Sequence, residues 1–172
     1  MRNAMLDLET LGTRPGCVIL SIGAVKFDGE NLGDEFYKVI KIDSCKEVGL
    51  TTDNDTLAWW AKRSPEARAV FADPNSLALK ETLHLFSRFM DGTNFIWGNG
   101  SDFDQPVLDA AYYAAEIRLP WKYWNSRCYR TMKSLLPSIK IERTGTYHNA
   151  LEDAKSQAAH LIEICKILGV RL

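Results

Sequence analysis

The chain has 172 residues, 46% hydrophobic and 25% charged, with a formal net charge of −1. That length suits one domain, 1–172, with a sound core, and no apolar run approaches the ~20 residues of a membrane span. Structured-looking sequence begins within a few residues of Met1, which argues against a signal peptide, and the charge alone gives no sign of a polyanion-binding protein.

The first third reads as β. Asn3–Leu8 is short and apolar, and "CVILSIGAVKF" (17–27) and "EFYKVIKI" (35–42) are rich in β-branched and aromatic residues. The turn signal "DGENLG" between them predicts a hairpin. The middle turns helical: 55–63 carries Leu57, Trp59 and Trp60, and "SPEARAVF" offers Ser64 as N-cap with Pro65 at the first helical position. Over 76–90, Leu79, Leu83, Phe86 and Met90 recur at spacings of three and four, a helix with one buried face.

The last part alternates. "FIW" (95–97) is a strand candidate followed by "GNGSD", and a helix over 105–116 places Val107, Leu108, Ala111 and Ala115 on one face. A basic, aromatic segment follows. Residues 118–143 hold Arg118, Lys122, Arg127, Arg130, Lys133, Lys140 and Arg143 against one acid, Glu142, interleaved with Trp121, Tyr123, Trp124 and Tyr129. Such a segment is either a single-strand-binding surface or a solvated face beside buried aromatics. A long helix over 150–168 closes the chain, with Gly169 at its C′ position. Strands first and then strand–helix units predict an α/β fold with antiparallel leading strands. Cys17, Cys45, Cys128 and Cys165 form no C-x-x-C pair, which gives neither a zinc site nor a disulfide framework and reads as reduced thiols in a cytoplasmic protein.

The acids carry the chemistry. Asp7 and Glu9, at i and i+2 on a strand, point to one face about 7 Å apart at their α-carbons. They repel one another, and a divalent cation between them would resolve the repulsion. In "NGSDFDQPVL", Asp102 and Asp104 stand where a loop enters a helix, each able to cap it. In "YHNALEDA", Asn149-x-x-Glu152 resembles a capping box, with Asp153 in the first helical turn and His148 just before the cap. Carboxylates without thiolates are a hard-ligand set, suited to Mg²⁺ or Mn²⁺. Two such ions can activate a water and stabilise a leaving alkoxide on phosphorus, and a nearby histidine can act as general base.

These motifs resemble the DEDD superfamily of 3′→5′ exonucleases, in its branch with a catalytic histidine (DEDDh). "DLET" matches the D-x-E-T motif, "WGNGSDFD" the Phe-Asp motif after a Gly/Asn-rich loop, and "HNALED" the H-x4-D motif. "LAWW" and "WGNGSDFD" look closest to small phage and bacterial members. The resemblance implies an RNase H-like fold, a mixed sheet with parallel later strands flanked by α-helices. It implies two Mg²⁺ held by Asp7, Glu9, Asp104 and Asp153, with His148 deprotonating the attacking water. The product would be a 5′-monophosphate cut from a single-stranded RNA or DNA 3′ end. Thr10 and Leu11 would bind substrate, and Trp60, Trp97, Asn99, Phe103 and Tyr147 are further substrate-side candidates. Arg127 and Arg130 are the expected phosphate contacts, and a homodimer is expected from small relatives. Asn-Gly-Ser-Asp at 99–102 departs from the family's usual loop, leaving Asp102 and Asp104 as rivals; Asp104 is preferred because it follows Phe103 and precedes the helix. A non-catalytic nucleic-acid-binding module is the alternative, but it would have no reason to keep four mutually repelling carboxylates.

Overall fold

The structure, a computed structural model, describes residues 1–141 and 149–172. In chain order its elements are β1 (Asn3–Thr10), β2 (Ile19–Phe27), β3 (Leu32–Val39), α1 (Ile42–Glu47), α2 (Asn54–Ala61), α3 (Pro65–Arg68), α4 (Leu79–Phe89), β4 (Phe95–Gly98), α5 (Asp104–Ala114), β5 (Ser126–Cys128), α6 (Tyr129–Leu135) and α7 (Ala150–Leu168). The sheet order is β3-β2-β1-β4-β5. The β3–β2 and β2–β1 pairs are antiparallel; β1–β4 and β4–β5 are parallel. This is the expected mixed α/β sheet.

The strand period of two sorts β1 between two cores. Ala4, Leu6 and Leu8 join the cluster built with α4 and α5, through Leu79, Leu83, Phe86, Val107, Leu108 and Ala111. Met5 joins the opposite cluster with Trp97, Tyr129 and the α7 residues Ala154, Ala158 and Leu161. Asp7 and Glu9, in phase with Met5, therefore rise on the α7 side. The β2–β3 turn closes as its sequence predicts, the Asp28 carboxylate accepting from the N–H groups of Glu30 and Asn31 at 2.9 Å each.

Two features hold α7 in place. Its N-terminus lies directly on β2 at Gly23, where a Cβ would stand 2.1 Å from the Ala150 carbonyl carbon. Farther along, buried His160 receives the Tyr129 hydroxyl at Nδ1 (2.7 Å), while its Nε2 meets the Ile139 carbonyl at 3.2 Å. A carbonyl only accepts, so the ring proton sits on Nε2. One side chain thus ties α6 and the segment after it to α7.

Beyond shifts of one or two residues at element ends, the larger differences from expectation are these. The third strand runs 32–39 rather than 35–42, because Ile40 instead bridges to Leu77 and the chain then turns into α1. The fourth helix starts at Leu79, three residues late. The basic segment contains β5, three residues long, and α6, seven, neither long enough to display a clear period. Among the described residues, no helix is long and apolar enough to cross a membrane.

Candidate active site

The site forms where the C-terminal end of β1 meets the N-termini of α5 and α7. The β1–β2 register slips between Glu9 and Thr10, Glu9 facing Ser21 and Thr10 facing Ile19. Such bulges turn the strand and re-aim its side chains. The Asn149 side chain caps α7, accepting from Leu151 and Glu152 N–H at 3.1 and 3.2 Å. That fixes the first turn, and Asp153 reaches back toward β1. Ligand atoms of Asp7, Glu9 and Asp153 all lie within 4.8 Å of one another. Buried Asp104, the first residue of α5, accepts from the Leu8 N–H at 3.2 Å. Asp102 is exposed. Of the two rivals, the structure brings Asp104 to the cluster.

The electrostatics are those of a pocket dominated by buried carboxylates. Burial raises the Asp7 carboxyl well above the usual range, and the charges of Asp104 and Glu9 push it further. Burial, then Asp153 and Asp104, raise Glu9 to about 8. Burial lifts Asp104 to about 6, while the N–H groups of Leu8 and Asn99 and the Arg130 guanidinium hold it down. The donor set is all carboxylate oxygen, the repulsion is strong, and a divalent cation at the centre would relieve it. The residues fit such an ion.

Gln157, which the motif reading missed, donates its Nε2–H to Asp7 Oδ1 at 2.8 Å. It lies one turn after Asp153 on the same face of α7, so i, i+4 spacing from a candidate ligand could have revealed it.

The remaining candidates divide. Glu9 opens onto a pocket of about 510 Å³, whose walls include Thr10, Trp59, Trp60 and Phe103. Thr10 is held by its own neighbours: its hydroxyl donates to the Gly12 carbonyl at 2.7 Å, and its carbonyl receives the Trp60 indole N–H at 2.9 Å. Trp60 is buried, whereas Trp59 is 40% exposed and offers the more open ring. Leu11 does not reach the pocket. Its side chain is core, and its N–H and carbonyl are bonded to Val18 and Asp53. Trp97 is likewise buried, its indole donating to Asn3 at 2.9 Å.

The two arginines separate as well. Arg130 lies over Gly100, where a Cβ would stand 3.3 Å from its guanidinium carbon. Gly100 also holds φ +144°, a conformation that disfavours a side chain. Arg127 instead donates to the Trp124 and Ser126 carbonyls at 2.8 and 2.9 Å and covers the Phe95 ring at 4.3 Å. It braces its own loop and is not brought to the acids. His148 and Tyr147 lie outside the described residues.

Residues 2–165 match the family model of the Rv2179c-like 3′-5′ exoribonuclease domain. Among solved structures, the chain is similar to the nuclease domain of 3′hExo, described as a DEDDh family member bound to rAMP. The identity is 13% and the TM-score 0.63, over 96% of this chain and 92% of that one. It is also similar to exonuclease X in complex with 5′ overhanging duplex DNA, at 17% identity and TM-score 0.57, over 97% and 93%. A 3′-exonuclease described in 3′-end specific recognition of histone mRNA stem-loop aligns at 14% identity and TM-score 0.61, over 96% and 81%. These likenesses concern the fold, the RNase H-like arrangement of a mixed sheet flanked by helices. No curated protein matches the chain.

Proposed function

The chain belongs to the Rv2179c-like 3′-5′ exoribonuclease family, and on that premise we propose that it removes nucleotides from the 3′ ends of single-stranded RNA as 5′-monophosphates. The observation that carries this reading is the convergence of Asp7, Glu9 and Asp153 within 4.8 Å, from opposite ends of the chain. With Asp104 they would hold the divalent cations, two Mg²⁺ with Mn²⁺ as substitute. When bound, such ions supply a water activated at neutral pH and charge neutralisation on the leaving oxygen.

The protein's own groups do the rest. His148 takes the proton of the attacking water, as its place five residues before Asp153 in the H-x4-D motif supports. Gln157 orients Asp7 from behind. Arg130, beside Asp104, meets the phosphate of the strand. The pocket next to Glu9 receives the terminal nucleotide, with Trp59 and Phe103 as the faces against which its base rests. The preference for RNA over DNA rests on the family's description, and a cytoplasmic location on the four free cysteines.

The test uses 5′-labelled single-stranded RNA and DNA of one sequence, with Mg²⁺ or EDTA. A stepwise RNA ladder that vanishes with EDTA and with Asp153→Ala is expected. RNA left intact under every metal condition overturns the activity. DNA cut as fast as RNA overturns the sugar preference.

A further inference from the structure

The aromatic residues of the basic segment divide sharply. Trp121 is buried, packed edge-on against Tyr112 at 6.0 Å and Phe86 at 6.5 Å. Two and three residues later, Tyr123 is 81% exposed and Trp124 57% exposed. Their rings stand perpendicular at 4.9 Å, with the Lys122 ammonium 5.2 Å from the Trp124 ring centre. Large rings left in water are an informative exception to burial.

The backbone under them is braced by Arg127, whose guanidinium donates to the Trp124 carbonyl at 2.8 Å. Two exposed, mutually perpendicular ring faces are thereby presented on a braced backbone, which lowers the ordering cost of binding. Residues 118–141 contain no Asp or Glu, and Arg118, Lys122, Arg130 and Lys133 are exposed.

The topology links this patch to the acids. β5 is the edge strand of the sheet, and its Cys128 is level with Gly98, the last residue of β4. The chain then passes to Arg130, which lies over Gly100 at the acidic end. Tyr123 and Trp124 precede β5 and so lie toward the opposite end. The three residues of β5 span ~10 Å, and the 3₁₀ turn that precedes it, Tyr123–Asn125, ~6 Å. The edge is therefore on the order of 15 Å long, the length of four or five nucleotides stacked at ~3.4 Å.

We propose that Lys122, Tyr123 and Trp124 form an accessory site for the body of a single-stranded nucleic acid whose 3′ end lies at the acids. The strand runs along the β5 edge, its phosphates near Arg130 and Lys122, and bases several nucleotides upstream rest on Tyr123 and Trp124. This rests on the function proposed above and adds a length preference to it. A strand of three nucleotides, stacked at ~3.4 Å, covers only ~10 Å of that edge and leaves the rings uncovered.

The experiment measures binding in EDTA, so nothing is cut. A 5′-labelled 12-nucleotide RNA is titrated with the full chain by fluorescence anisotropy, and an unlabelled 3-mer competes. The wild type should prefer the 12-mer by at least ~10-fold, and Tyr123→Ala/Trp124→Ala should remove most of that preference, as loss of base stacking does. Lys122→Glu should weaken 12-mer binding and flatten its salt dependence. A double variant that keeps the wild-type preference overturns the proposal. So does one that loses the preference only together with conversion of a dimer to a monomer in gel filtration, which makes this face a contact between copies. If the length preference is present and lost as expected while the wild type cuts no RNA in Mg²⁺, the proposed activity fails and the accessory site stands.

Discussion

Gln157 is a neutral donor placed on Asp7, which would have to be an anion to hold a metal ion. A lysine there would supply the positive charge that a metal ion should bring, whereas an amide holds Asp7 Oδ1 at 2.8 Å and leaves its charge available. Partners behind a ligand typically contribute 10–100-fold to metal affinity. Gln157→Met keeps the volume and removes the hydrogen bond. Mn²⁺ binding, measured by isothermal titration calorimetry, should weaken by about 10-fold or more, with circular dichroism unchanged. Undiminished affinity would leave Gln157 a packing residue. Leu11 gives the opposite lesson. Its place beside the first motif made it a substrate candidate, but it is 1% exposed and its backbone groups are already bonded within the fold.

At the level of elements, the decisive contact is α7 on β2. Gly23 stands opposite Asp7 on the neighbouring strand, and any side chain there would strike the α7 backbone. Gly23→Ala should lift the helix and move Asp153 away from β1. Overpacking of this kind costs about 1–3 kcal/mol, readable in urea denaturation. A shift near 1 Å at a catalytic group lowers turnover by about 100-fold, so activity should fall more than stability. Gly23 carried no signal in the sequence, where it reads as one more small residue in a strand. What was legible was local: the hairpin turn at Asp28, the caps at Ser64 and Asn149, and the two-residue phase of Asp7 and Glu9. Asp104 too could be chosen over Asp102 from its place at the helix start. The features that escaped depend on what meets across the fold. Examples are the brace of Arg127 on carbonyls, the His160–Tyr129 tie and the opposite exposures of Trp59 and Trp60. The short β5 escaped for a different reason, since three residues cannot display an alternation.

For the molecule as a whole, the acids set stability against function. Glu9 binds its proton up to about pH 8 in the folded state, against a usual value near 4.5. Between those values unfolding releases a proton, so raising the pH destabilises the fold, and the loss levels off above the folded value. Burial moves Asp7 the same way. In EDTA, the melting temperature should fall from pH 5.5 to pH 8.5, and Mg²⁺ should restore more of it at the higher pH, because only the ionised acids bind the ion. A melting temperature in EDTA that rises over this range would contradict the assignment. The docking of α7 has a last consequence for the living cell. Asp7 and Glu9 stand on β1 but Asp153 and Gln157 on α7, which a ribosome makes much later, 150 residues separating the Gln157–Asp7 pair. During synthesis the emerging polypeptide therefore carries only part of the constellation. The constellation is complete only after α7 has been made and seated on β1 and β2, so a nascent chain that still lacks α7 holds no complete metal site.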